Sequence, residues 1–332
     1  MTSSQAPQPY SRRRFLWLAL FIVLLFGGYS AGWFWFAGRA EQEVQQRIAK
    51  LNQNGVAADC VNPTVRGFPF RIGLFCDRVE YENSNMRISA SAGNLRTAAQ
   101  VYQPMRTVLE LDGPLTVTAP DLPPIRFNWD LLHASARLAN PLPERISAET
   151  RKLTGEASFS DRSPVPLFTA EETQLHLRPN GQDIDVAGTF TGLVIDQQAL
   201  GGRKLPPLDG SADASLKDGV SVVKGGERSL RGQSGTIRSL TLTTGGNTGA
   251  ALSGPWSIDQ DGLMDANLRV TVQNPRELSR ILSEAMPEQR RQIETAMSGL
   301  AILGNAPSLP LRIVKGRATL GFIPLGMVPA VR

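Results

Sequence analysis

Twenty-four consecutive residues without a charge, Phe15 to Gly38, constrain this chain more than any other feature. As a helix they would extend about 36 Å at ~1.5 Å per residue, enough to cross a hydrocarbon layer of ~30 Å with some tilt. Arg12, Arg13 and Arg14 stand directly before the run, and no Asp or Glu precedes Glu41. The positive-inside rule keeps such arginines in the cytoplasm. Trp33, Phe34, Trp35 and Phe36 crowd the other end, where aromatic rings prefer the membrane interface. Residues 1–14 are therefore expected as a cytoplasmic tail and 15–38 as a transmembrane helix, with the rest outside the cytoplasm. A cleaved signal peptide is the rival reading, but its apolar core is shorter and small residues precede its cleavage site. Gly28 and Gly32 have the spacing that lets two membrane helices approach, or they fall so by chance in a Gly-rich span.

The net charge of +5 owes much to those three arginines. A nucleic-acid binder needs a clustered basic face, and no such cluster follows in the sequence, so nucleic acid is not expected as a partner. Ala40, Val44, Ile48 and Leu51 recur at helical spacing, which predicts a stalk over 39–55 with a stop at Asn54-Gly55.

Cys60 and Cys76 are the only cysteines. Outside the reducing cytoplasm they are free to form a disulfide. The midpoint between them is Phe68, inside Arg66-Gly67-Phe68-Pro69-Phe70-Arg71, where Gly and Pro punctuate a turn. A hairpin folded there would set the cysteines opposite each other. Pro63 counts against a regular first strand, because proline cannot donate to a ladder.

This combination of anchor, stalk, Cys60, the turn Gly67, Phe68, Pro69, Phe70, Arg71 and then Cys76 resembles a family of uncharacterised alphaproteobacterial envelope proteins. Arg126-Phe127-Asn128-Trp129-Asp130 resembles it as well. More distantly, Leu252–Pro275 and Leu311–Gly326 resemble AsmA-like proteins. That resemblance implies a long curved antiparallel sheet and lipid handling between membranes. Together the two imply a bacterial inner-membrane protein, single-pass, with its main domain in the periplasm.

Alternation agrees with a mainly β chain. Leu115, Val117 and Ala119 share a face, as do Ile125, Phe127, Trp129 and Leu131. After Leu131 the apolar phase shifts to Leu132, Ala134, Ala136 and Leu138, which predicts a bulge or bend. Leu175 and Leu177 run into Pro179-Asn180-Gly181 and return through Ile184 and Val186, a hairpin pattern. Leu252–Ile258 turns at Asp261-Gly262 and returns through Leu268, Val270 and Val272. Asp-Gly recurs at Asp112, Asp209, Asp218 and Asp261 as a short-spaced strand signal. Asn274-Pro275 opens a helical pair over about 275–303, with Pro287 as a stop between its members. The expected fold is thus a transmembrane helix and stalk, then an elongated, curved antiparallel sheet over 56–332 with a C-terminal helical pair packed on it. A sub-boundary is placed near 205–210, at Leu205-Pro206-Pro207.

Catalytic motifs are absent from the sequence. His133 and His176 lack a second His or Cys at ligand spacing, so no metal is expected. There is no G-x-S-x-G elbow and no P-loop, and the glycines around Lys224-Gly225-Gly226 lack a phosphate-cradle context. Asp183 and Asp185 are expected on a solvated strand face, and Arg290-Arg291 as a surface pair. No cofactor is expected. The leading expectation is a non-enzymatic envelope protein that holds lipid or another apolar ligand on a sheet face. A scaffold that docks another envelope protein is the second. A hydrolase is the third, and it would need His133 or His176 within reach of both a hydroxyl and a carboxylate.

Overall fold

In the computed structural model, residues 12–331 are described, except 54, 160–162, 226–228 and 246. One unbroken helix, Arg12–Leu51, is followed by a mainly β body in which half of the chain is strand. Among the described residues, twenty strand segments form a single antiparallel sheet. Their order is simpler than their number. Five early strands (56–66, 71–83, 88–100, 103–118 and 125–137) are each broken once. Both halves of each pair with both halves of the next, so the whole sheet is a meander of fifteen strands in strict chain order. Successive strands of a meander reverse direction, so alternate turns lie at the same end. The first, third, fifth and seventh strands all end at the end we call near; the intervening turns lie at the far end.

The breaks fall in line across the sheet, at Asn62-Pro63, Asp77, Gly93-Asn94, 112–114 and Trp129-Asp130. They make a crease rather than turns. Side chains carry hydrogen bonds that the ladder loses there. Asn62 Nδ2 donates to Asp77 at 2.8 Å, Asn94 Nδ2 to Asp112 at 3.1 Å, and the Trp129 indole to the Leu111 carbonyl at 2.7 Å. Arg96 grips Asp112 with two nitrogens, and those bonds hold the Asp112 carboxyl below the usual carboxylate range. The bulge or bend expected after Leu131 falls just before it, at Trp129-Asp130, as part of this crease.

Asp-Gly is a turn at Asp261-Gly262, between paired strands Thr248–Ile258 and Met264–Gln273. At Asp209-Gly210 it is not. Gly210 lies within strand Leu208–Leu216 opposite Phe190, and a β-carbon there would meet the Phe190 ring at 2.4 Å. The glycine makes room for an aromatic ring from the preceding strand, a role that the dipeptide does not disclose. The sheet also runs without a break through the region of Leu205-Pro206-Pro207, because strands Asp183–Ile195 and Leu208–Leu216 pair directly.

The helical pair forms as expected, Pro275–Ala285 and Arg290–Ile302, with a 3-10 turn at Pro287–Gln289. Its first helix meets the sheet at Thr248–Ile258. Asn274 precedes that helix in a left-handed conformation, and its amide donates to the Thr248 hydroxyl instead of capping.

Among the described residues, a compact core forms near the C-terminus, where Ala266, Leu268, Ile313 and Ala318 are buried with Trp256, Leu252 and Leu311 packed against them. Elsewhere the sheet is open. The molecule exposes 22355 Å², against roughly 13,000 Å² for a compact monomer of this mass. The membrane-length helix supplies part of the excess. The sheet supplies the rest. On one face an apolar row crosses ten strands in register, Leu109, Ala134, Ala148, Leu175, Gly188, Ala212, Leu240, Leu252, Val270 and Leu309, and runs into that core at Leu252. None of the ten is buried, and Leu175 is 46% exposed.

Candidate functional site

The first strand runs back along the long helix. Asn52 clamps Ala58 by two hydrogen bonds, and Glu41 accepts the Val65 N–H at 2.7 Å. Further down, the Trp33 indole donates to the Arg71 carbonyl at 3.2 Å, and the Tyr29 hydroxyl donates to the Pro69 carbonyl. The Phe68 ring packs edge-on against Trp33 at 5.6 Å and stacks on Phe34 at 5.5 Å. The helical stripe expected from the sequence holds at Ala40, Val44 and Ile48, which are half-buried, and extends back to buried Trp33 and Ala37; Leu51 faces out at 60% exposure. Asn54, the expected stop, lies outside the described residues. Trp33 and Tyr29 belong to the uncharged run. The signature turn therefore sits roughly 8–14 Å before the end of that run, counted at ~1.5 Å per residue.

Gly67 shapes the turn. Its φ is +123°, and a β-carbon would lie 2.8 Å from the Arg71 carbonyl carbon, so only glycine fits. Beyond the turn, Cys60 and Cys76 are disulfide-bonded and buried. They are not opposite each other. Cys60 pairs with Val79, and Thr64 with Phe75, so the two cysteines stand three positions apart along the ladder. In a flat sheet that offset alone is ~10 Å. The crease at Asn62-Pro63 and Asp77 brings their Cα atoms to 5.3 Å. The bond straps the bend rather than the hairpin.

Three near-end tips lie side by side. The Val101 N–H donates to the Phe70 carbonyl at 3.0 Å, and the Leu138 N–H to the Met105 carbonyl at 2.7 Å. They expose apolar side chains, Phe70 at 69%, Tyr102 at 70% and Met105 at 59%, with Phe68 and Leu138 less so, beside exposed Arg66 and Arg71 at the first tip. One step up the strands stands a row of guanidinium groups. Arg137 is directly opposite both Arg106 and Arg145, so the three share a face. Arg178 joins them in lining an open cleft of about 520 Å³. Like charges facing each other across strands are destabilising. Arg137 has Glu144 at 3.4 Å and Arg178 has Asp185 at 3.2 Å, whereas Arg106 and Arg145 have no acidic partner among the described residues. Each arginine lies on a different element of the sequence, so only strand register could have revealed the row.

Asp185 departs from expectation. It is buried, because Arg178 and Arg238 fold over it, and Arg238 also reaches Asp213. Burial pushes its pKa up, but hydrogen bonds from Arg238 and Arg178 outweigh that and hold it below the ordinary carboxylate value. Asp183 is half-buried and accepts the Asp218 N–H. A depressed folded-state pKa stabilises above the unfolded value and loses that contribution as pH falls through the folded one. Asp185→Asn is expected to lower stability by about 1–2 kcal/mol at neutral pH, a charged hydrogen-bond value reduced because both arginines are well exposed. The difference from wild type should shrink below pH 3.8. Urea unfolding at two pH values checks this.

The histidines do not form a triad. His176 Nδ1 lies 2.9 Å from the Ser147 hydroxyl, and His133 Nδ1 lies 3.6 Å from Glu149; among the described contacts neither histidine has both a hydroxyl and a carboxylate. No group of three or more His, Cys, Asp or Glu fit for a metal occurs among the described residues.

No curated protein matches the chain. A family described as an uncharacterized protein conserved in bacteria, DUF2125, matches residues 33–329. That span holds the signature turn, both cysteines, the arginine row and the apolar row, and the chain belongs to this bacterial family.

Proposed function

We propose that the chain is a non-enzymatic, inner-membrane-anchored protein whose sheet lies in the periplasm and holds acyl chains on its apolar face. The observation that carries this reading is the unburied apolar row across ten strands. Apolar sheet faces are ordinarily buried against another layer. Here the helical pair meets one strand, a short helix at Gly219–Gly225 meets strand Asp183–Ile195 near Ile184, and the long helix runs beside the first strand. An acyl chain lying along the row would remove apolar surface from water at about 25 cal/mol per Å². The Cys60–Cys76 disulfide supports an oxidising compartment, and Arg12 to Arg14 before the uncharged run support a cytoplasmic N-terminus. The AsmA-like resemblance of the C-terminal strands points the same way.

The test is native mass spectrometry of the full chain purified from membranes in mild detergent. Bound phospholipid is expected, and Leu175→Asp with Leu240→Asp should abolish it. Both positions are more than a third exposed, so the pair is compatible with folding. A wild-type chain that carries no lipid, or a double variant that retains it, overturns the reading.

A further inference from the structure

We infer that the near end of the sheet is itself a membrane-docking surface: the apolar tips enter the outer interface of the bilayer that the helix crosses, and the arginine row binds the phosphates of anionic phospholipids there. The inference rests on the helix being a membrane span, as proposed above, but not on lipid binding by the apolar face.

Depth comes first. Tyr29 and Trp33 lie within the uncharged run, and both bond the backbone around the Gly67–Phe70 turn. If the run is in the membrane, this turn is beside it, below the level of Arg39. The neighbouring tips follow, because backbone hydrogen bonds tie Val101 to Phe70 and Leu138 to Met105. These tips expose Phe70, Tyr102, Met105 and Leu138, and the exposed Arg66 and Arg71 beside the first tip have long side chains that reach up toward the headgroups. Aromatic side chains are enriched at membrane interfaces.

Charge comes second. Arg106, Arg137 and Arg145 stand one strand step above the tips on one face. Two of them lack an acidic partner among the described residues, and the cleft that they line contains only Glu144 as an acid. Arg137 faces a guanidinium on either side, like charges so placed repel, and Glu144 supplies the one carboxylate of this cleft for all three. Guanidinium is planar and bidentate, which suits phosphate oxygens. Apolar tips below and cations above match the order of acyl chain and headgroup phosphate in a leaflet. The Tyr29–Pro69 contact fixes the register between the two.

The full chain is reconstituted into phosphatidylcholine vesicles with and without phosphatidylglycerol. Spin labels are placed at Tyr102→Cys and Leu138→Cys, with Leu122→Cys as a control. Leu122 is exposed and lies in the far-end turn of the same strands. With phosphatidylglycerol, the labels at 102 and 138 should lose collision with a water-soluble nickel relaxant, while the label at 122 keeps it. Adding Arg106→Gln and Arg145→Gln should return the phosphatidylglycerol result to that in phosphatidylcholine alone.

Tip labels as wet as the control in anionic vesicles overturn the inference, and so does protection unaffected by the arginine substitutions. Millimolar inorganic phosphate that abolishes protection identifies a free-phosphate site and overturns the headgroup assignment. Alkaline carbonate separates the two readings. A chain stripped from vesicles sinks the anchor itself, whereas a retained chain with wet tips sinks only this inference.

Discussion

Replacing Cys60 and Cys76 together by serine is expected to lower the unfolding free energy by about 3 kcal/mol, the chain-entropy value for a loop of this size. The bond does more than shorten a loop. The cysteines are three ladder positions apart, and only the bend at Asn62-Pro63 and Asp77 lets them meet. The loss should therefore concentrate where the first two strands fold over. Hydrogen exchange should accelerate at Asp77, whose N–H donates to the Val61 carbonyl at 2.9 Å. It should change little in the later strands, such as 248–258 and 264–273. Urea unfolding of the detergent-solubilised double variant, beside reduced wild type, measures the first effect. A variant as stable as oxidised wild type would show that the crease holds without its strap.

Gly73→Ala should do at least as much damage, about 3 kcal/mol or more, at the upper end of overpacking losses. Gly73 lies in the second strand, between the signature turn and Cys76. A β-carbon there would fall 1.8 Å from the Thr97 carbonyl oxygen, which cannot move without dragging the third strand. The strands approach closely because the Thr97 side chain replaces the main chain in the ladder. Its hydroxyl accepts the Leu74 N–H at 2.8 Å and donates to the Leu74 carbonyl at 3.2 Å. Gly181→Ala is the comparison. Gly181 has φ +65° but open space around it, so only the backbone penalty of about 1 kcal/mol applies. Equal losses at the two sites would mean that the close approach to Thr97 relaxes.

How far the sequence discloses the molecule depends on the range of each interaction. The uncharged run, the helical stripe at Ala40, Val44 and Ile48, and the hairpins at Gly181 and Gly262 are local patterns, and they were legible. Asn62-Pro63 and Asp112-Gly113-Pro114 were legible only as punctuation. The same residues serve a reversal and a corner, and pairing of both halves with the next strand decides which. Asp185 and the arginine row lay beyond reach for a different reason. Arg106, Arg137, Arg145 and Arg178 look like ordinary solvated residues until register aligns four strands. A shift of one residue in any strand would send its arginine to the other face.

The strictly sequential meander bears on how the polypeptide acquires its structure. Each strand pairs with the one synthesised just before it, even across the helical excursions at 219–225 and 275–302. Neighbour-only pairing keeps loop closures short, a condition that speeds folding. A nascent chain can thus zip up hairpin by hairpin, starting against the long helix that precedes the first strand, without waiting for its C-terminus to arrive.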